Sequence, residues 1–221
     1  MNAPAHHLDP ATLLAYAAGA LPVAFAIVAA SHLRVCAPCR AALRAAEGVG
    51  AHLLEQLRGA PLSASARATL RGRLAADQSP PGPGTAPAPV RPPGPDVLPA
   101  LLQPFFGDRY SRLRWTCLSP GVHYLDAQPD PHARLVLLRL EIGCAGPVHR
   151  HHGHALTMVL RGAYQDGPGR FGPGDVADLD DGRRQRPLAV SRRRCIWAAA
   201  LAAAPPWRHA SGKDVLPRHE R

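Results

Sequence analysis

The sequence predicts an α+β chain of two unlike parts, an all-α module of four helices followed by an all-β barrel or sandwich. Three observations predict it. Apolar residues recur at helical spacing up to residue 76, and proline crowds residues 77–100. Beyond that point short apolar or alternating runs are separated by Gly/Pro turns.

The helices follow in order. Asp9 can cap a first helix whose first position is Pro10, and Gly19 sits where it ends. Pro22 opens a second helix with Leu21, Phe25, Val28 and Ala29 on one side. Pro38 fits the first turn of a third helix running to about Arg58, whose apolar stripe is Leu43, Val49, Leu53 and Leu57. "ASARATLRGRLAA" (64–76) gives a short fourth helix with a basic face. A module this small lies near the lower limit for a core that stands unaided.

"DQSPPGPGTAPAPVRPPGPDVLPA" (77–100) cannot supply regular hydrogen bonds and reads as a semi-rigid tether. After it, "RLVLLRLEIG" (134–143), "ALTMVLRGAYQD" (155–166) and "GDVADLD" (174–180) predict strands, and "CIWAAALAA" (195–203) a last one. The chain thus divides into residues 1–76, a linker 77–100, a barrel 101–207 and a charged tail 208–221.

Composition narrows the function classes. The formal charge is +10, nearly all of it arginine, since Lys213 is the only lysine. That balance suits an acidic partner. Nucleic acid is one such partner, but the chain has no compact basic run interleaved with aromatics, so no direct nucleic-acid contact is expected. Residues 13–30 are uncharged and near the length of a membrane span, but Gly19 and Pro22 divide them and no positive segment precedes them. Export with cleavage near "VAAS" (28–31) is the competing reading; two soluble helices and a cytoplasmic chain fit better. The 5 cysteines, an odd count with two in a C-x2-C pair, argue for reduced thiols over a disulfide framework.

"HLRVCAPCR" (32–40) carries the chemistry. His32 and Cys36 lie four apart where one helix ends, and Cys36 and Cys39 flank the turn into the next. Thiolate and imidazole suit zinc, which takes four donors in a tetrahedron. The N-terminus of the third helix is expected to lower the thiol pKa values. A fourth donor must come from elsewhere, and His6 and His7 are the only histidines upstream. Two other readings of C-x2-C fit less well. A redox pair would want a preceding strand, and a nucleic-acid zinc finger would want a second ligand pair after the helix.

"HHLDPATLLAYAAGAL…ASHLRVCAPCR" resembles the zinc-binding anti-sigma domain, and the whole chain resembles the ChrR-type anti-sigma factors, which follow that domain with a cupin barrel. The resemblance covers both halves but not the linker. It implies a structural Zn²⁺ held by His7, His32, Cys36 and Cys39, with His6 the next neighbour. It also implies a protein without turnover that binds and inhibits an extracytoplasmic-function sigma factor, with the barrel tuning release under oxidative or photooxidative stress.

"PVHRHHGHALTMVLRGAYQDGPGRFGPGDVADL" (147–179) resembles the first cupin motif. Side chains alternate along a strand, so His149 and His151 share a face and supply a residual His-x-His pair. The resemblance implies a carboxylate at Ala155 and a further histidine near Gln185, and both are missing. Alanine cannot ligate and glutamine is a weak neutral donor, so a second metal is not expected. His154 and His152 are possible substitutes, although the alternation places both out of line. For Cys117, Cys144 and Cys195 the expectation is buried structural thiols, with an oxidation-sensing role open for Cys195. The alternative functions are a cupin metalloenzyme (dioxygenase or isomerase) with an accessory zinc domain, and a zinc-stabilised DNA-binding regulator.

Overall fold

A computed structural model describes residues 3–76, 94–151, 153–167, 169–182 and 184–202. Most of the expected linker, the expected tail and His152 lie outside the described residues.

The four predicted helices are present: α1 (Pro10–Ala17), α2 (Val23–Leu33), α3 (Ala37–Glu55) and α4 (Ala64–Ala76). The Asp9 side chain accepts the Ala11 backbone N–H at 2.8 Å, which satisfies one orphan donor at the start of α1. Gly19, at φ +66°, takes the left-handed conformation that lets the chain turn from α1 towards α2. The uncharged stretch 13–30 is therefore two short helices, and no helix among the described residues is long and apolar enough to cross a membrane. A short helix α5 (Gln103–Phe106) and a single 3-10 turn (Tyr110–Arg112) lead into the strands.

Eleven strands follow among the described residues: β1 (Thr116–Ser119), β2 (Val122–Asp130), β3 (Ala133–Leu140), β4 (His149–Arg150), β5 (Ala155–Arg161), β6 (Tyr164–Asp166), β7 (Gly169–Phe171), β8 (Val176–Leu179), β9 (Arg184–Gln185), β10 (Leu188–Ala189) and β11 (Cys195–Leu201). The main sheet has six strands in the order β1-β2-β3-β11-β5-β8. A three-stranded sheet, β10-β6-β7, and the pair β4-β9 complete the barrel. The last strand in sequence is thus central in space, antiparallel to both β3 and β5.

That position explains the composition of β11, which is buried along its whole length. Cys195, Trp197, Ala199 and Leu201 point into the barrel with Val136, Leu138, Leu140, Val159 and Tyr164. Ala198 and Ala200 point the other way, with Leu135, Leu137, Leu156 and Met158. Both faces are covered, so the strand reads as an unbroken apolar run rather than an alternation.

What covers the outer face is helix α2. Phe25, Val28, Ala29 and Leu33 join Leu135, Leu137, Leu156, Met158, Val176 and Ala198 in one continuous core. The small alanines of β11 let the helix approach closely. Helix α1 packs on α3, and Leu8 and Leu13 belong to the same core.

The rest of α3 and all of α4 behave differently. Leu43 packs against the core, but Val49, Leu53, Leu54, Leu57, Leu70 and Leu74 are between 49% and 68% exposed. Helix α4 buries no residue at all. Of the predicted stripe, Leu43, Val49 and Leu53 lie on α3, and beyond the first turns of the helix the stripe faces outward. The helix ends at Glu55 rather than near Arg58, so Leu57 lies just past it.

Candidate metal centre

Helix α2 ends and α3 begins within a few residues, and this junction builds three quarters of the site. His32 lies in the last turn of α2 and is fully buried. Cys36 is the N-cap of α3 and Cys39 lies in its first turn, both buried. Helical geometry therefore brings three donors together within one short stretch of chain. The fourth, His7, comes from the irregular segment ahead of α1 and is exposed.

The four ligand atoms lie within 4.8 Å of one another. His7 Nδ1 is 3.2 Å from Cys36 Sγ and 3.7 Å from Cys39 Sγ. His32 Nε2 is 3.2 Å from Cys39 Sγ. A tetrahedral ion with bonds of about 2.0–2.1 Å to nitrogen and 2.3 Å to sulfur places adjacent donors about 3.5 Å apart. The donor set and its spacing fit such an ion.

Protonation fits it too. The Gly174 carbonyl accepts a hydrogen bond from His32 Nδ1 at 2.8 Å, so the ring proton sits on Nδ1 and the Nε2 lone pair faces Cys39. Burial holds the His32 pKa below the usual range, partly offset by that hydrogen bond, which keeps the ring neutral. Cys39 departs from the sequence expectation. Burial pushes Cys39 up to about 11, opposed by the Leu8 backbone hydrogen bond and reinforced by the Cys36 side chain. The helix N-terminus does not overcome desolvation here. A bound cation would supply the missing charge and favour the thiolates.

His6 and His7 separate cleanly. His6 turns to the barrel, where its Nε2 donates to the Arg170 carbonyl at 3.1 Å and its ring stacks on Phe171 with centroids 4.2 Å apart. His7 is the one that meets the cysteines.

In the barrel, His149 and His151 lie side by side, with ring centroids 4.9 Å apart. His149 pairs with Gln185 across β4 and β9. His151 Nε2 donates to Gln185 Oε1 at 2.8 Å, so the glutamine occupies the nitrogen that a metal would need. Ala155 is buried at the start of β5 and offers no donor. Around these groups lies a cavity walled by apolar side chains such as Leu138, Leu140, Trp197 and Leu201. His154 does not join them. It hydrogen-bonds to Asp178 and stacks on Phe25 of α2, with centroids 4.7 Å apart. Among the described residues, the four N-terminal side chains are the one convergent group of three or more His, Cys, Asp or Glu donors.

The remaining thiols divide. Cys195 is buried, as expected, and burial pushes its pKa up to about 12, which makes it a poor nucleophile. Cys117 is exposed and Cys144 half-buried, so the expectation of buried structural thiols fails for Cys117. It lies on β1, at the edge of the main sheet, where burial is incomplete.

Sequence reasoning missed the barrel's own contribution to the N-terminal site. Gly174, Asp175 and Asp178 all contact the helical module. Gly174 and Asp175 were expected at the start of a strand, which begins only at Val176, and nothing in "GPGD" announced a partner.

The chain is 36% identical over 203 residues to the anti-sigma-E factor ChrR of Cereibacter sphaeroides, covering 90% of each sequence. It belongs to the ChrR-type anti-sigma factor family. A crystal structure of Rhodobacter sphaeroides SigE in complex with the anti-sigma ChrR holds a chain that superposes with a TM-score of 0.73 at 34% identity. That match covers 90% of this chain and 99% of the other. An RmlC-like cupin from Shewanella frigidimarina is a distant structural neighbour, 13% identical with a TM-score of 0.39, covering 44% of this chain and 89% of that one. No protein-family model matches the chain. In this ChrR-type chain the helical module and the β-barrel meet through α2, as described above.

Proposed function

We propose that this chain binds and inhibits an extracytoplasmic-function sigma factor in the cytoplasm, with a structural Zn²⁺ on His7, His32, Cys36 and Cys39. The observation that carries this reading is the exposed apolar surface of the outer part of α3, the turn after it and α4, where Val49, Leu53, Leu54, Leu57, Leu70 and Leu74 are left uncovered by the described residues. Exposed apolar area of this kind marks a binding surface. Helix α4 adds Arg67, Arg71 and Arg73 with no acidic residue, which suits a partner with acidic patches. The SigE complex formed by the related ChrR supports the same class of partner.

The metal acts as a clamp. Four protein donors complete a tetrahedron, so no position remains for a substrate, and the ion's role is to join the segment before α1 to the α2–α3 junction. The protein functions by occupancy rather than turnover. Residues 1–76 do the capture, and the barrel carries regulation of release under oxidative or photooxidative stress. The end of the expected linker belongs to the barrel's packing, since Leu98 is in the core and its backbone N–H donates to the Asp108 carbonyl. No observation favours the metalloenzyme reading, because Gln185 already holds His151 and Ala155 replaces a carboxylate.

The test is co-purification of the tagged chain with a panel of extracytoplasmic-function sigma factors, together with metal analysis. A stoichiometric sigma factor and one zinc per chain are expected. Retention of DNA without a sigma factor, or an iron-loaded barrel, contradicts the reading.

A further inference from the structure

Of the four donors at the metal centre, three are carried on or at the end of helices and one is not. His7 is exposed and lies on an irregular segment, so its local sequence does not hold it in place. Something else must, because a flexible donor loses entropy each time it binds. The structure identifies that support in the barrel. Asp175 Oδ1 accepts the backbone N–H of Ala5 at 2.6 Å and of His6 at 3.0 Å. Its other oxygen, Oδ2, accepts the Gly172 N–H at 2.7 Å, which locks the carboxylate within its own turn. Asp175 is itself buried. His6 adds its stack on Phe171 and its hydrogen bond to the Arg170 carbonyl.

The same turn reaches His32. Gly174 gives its carbonyl to His32 Nδ1 and comes so near the helical module that an added Cβ would lie 3.0 Å from Pro4 and 3.4 Å from Val35. Its φ of +92° also requires glycine. Two donors that are far apart in the N-terminal sequence are thus both oriented by one barrel turn, more than 140 residues away.

We propose that the barrel segment Arg170–Asp175 is the outer shell of the metal centre, with Asp175 the positioning residue for His7 and Gly174 the positioning residue for His32. This rests on the assignment of the four donors as metal ligands. It follows that the metal affinity of the helical module belongs to the full chain. A disturbance of the barrel loosens His7 first, because His7 is held by that turn without a helix of its own, whereas His32 is also carried on α2. The barrel needs no metal of its own to communicate with the clamp.

The test uses the full chain loaded with Co²⁺ or Zn²⁺. Affinity is read by competition with a chromogenic chelator, the ligand set by the visible bands of Co²⁺ in a two-thiolate tetrahedral site, and barrel integrity by tryptophan fluorescence. Asp175→Ala is expected to weaken metal binding about 10- to 100-fold with the bands unchanged, the usual cost of losing an outer-shell partner. Asp175→Asn keeps one acceptor oxygen and should fall between Ala and wild type. His6→Ala removes the stack and the hydrogen bond without touching the barrel, and should cost roughly threefold to tenfold, again with unchanged bands. In a His7→Ala background, His6→Ala should cost nothing further, because its effect passes through His7. A merely structural role would not give that dependence.

If Asp175→Ala disrupts the barrel, His6→Ala decides alone. Affinities within twofold of wild type for the folded variants overturn the proposal while leaving the ligand assignment intact. A wild-type chain that lacks the two-thiolate cobalt bands overturns the ligand assignment itself, and this proposal with it.

Discussion

His154, on the barrel, stacks on Phe25 of α2 with ring centroids 4.7 Å apart, and its Nε2 is hydrogen-bonded to Asp178. Asp178 in turn accepts the Asp9 backbone N–H at 3.3 Å, at the start of α1. A pair of titratable groups therefore sits in the seam between the helices and the sheet. The hydrogen bond to Asp178 raises the His154 pKa above 6.5, against the effect of burial. For Asp178, burial acts upward but is outweighed by the hydrogen bonds from His154 and Thr12, so its pKa is lowered.

The sign of the pH dependence follows. The His154 contribution is fully present below the unfolded value of 6.5 and is lost as pH rises through the higher folded value. The Asp178 contribution is present above its unfolded value of 3.8 and is lost as pH falls through the lower folded one. At saturating zinc, the Tm difference between wild type and His154→Gln should therefore shrink as pH is raised from about 6 to about 9. A difference that stays constant over that range, or widens, contradicts the charged pair.

Phe25→Ala should be among the most damaging single changes. The side chain is 1% exposed and joins α2 to the sheet. Truncation of a buried phenylalanine costs about 3–5 kcal/mol, read here by denaturant unfolding of the zinc-loaded chain. A loss below about 1 kcal/mol would mean that α2 does not rest on the sheet in solution.

Substitutions on the outward face should separate binding from stability. Leu53→Asp, Leu57→Asp and Leu70→Asp remove apolar area that the chain itself does not bury. Each should change stability by no more than about 0.5 kcal/mol. Each should leave zinc content unchanged and weaken sigma-factor capture at least about tenfold, the behaviour of residues near the centre of an interface. Capture by the triple variant at wild-type strength would show that the partner docks elsewhere.

The barrel histidines give the opposite pattern. His151→Ala leaves the Gln185 carbonyl without its His151 partner in a buried setting, which costs about 1–3 kcal/mol of barrel stability. Zinc should remain at one per chain, and capture should persist in both His149→Ala and His151→Ala. Loss of a second metal ion on mutation would show that the pair ligates after all.

Much of this was legible in the sequence. Asp9, Pro10, Gly19 and Pro22 punctuate α1 and α2, and the structure places the helix ends where those residues direct. The segments that give β3, β5, β8 and β11 were legible as apolar runs. Strands β4, β9 and β10 have two residues each, too few for any alternation, and β2 carries His123, Asp126 and Pro129 among its apolar positions. The N-terminal donor set was legible because three of its members are local. What lay hidden was everything that depends on tertiary approach. The stripe on α3 does not announce which side covers it, and "GPGD" does not announce that its carbonyl and carboxylate orient two histidines from the other end of the chain.

The most direct measurement is sigma-factor capture by the full chain with and without its metal, comparing the zinc-loaded protein with Cys36→Ser/Cys39→Ser. Both cysteines are buried members of the donor cluster, so the double variant should bind no zinc, expose residues 3–55 to limited proteolysis and lose capture. A metal-free double variant that captures the sigma factor as tightly as wild type would contradict the clamp.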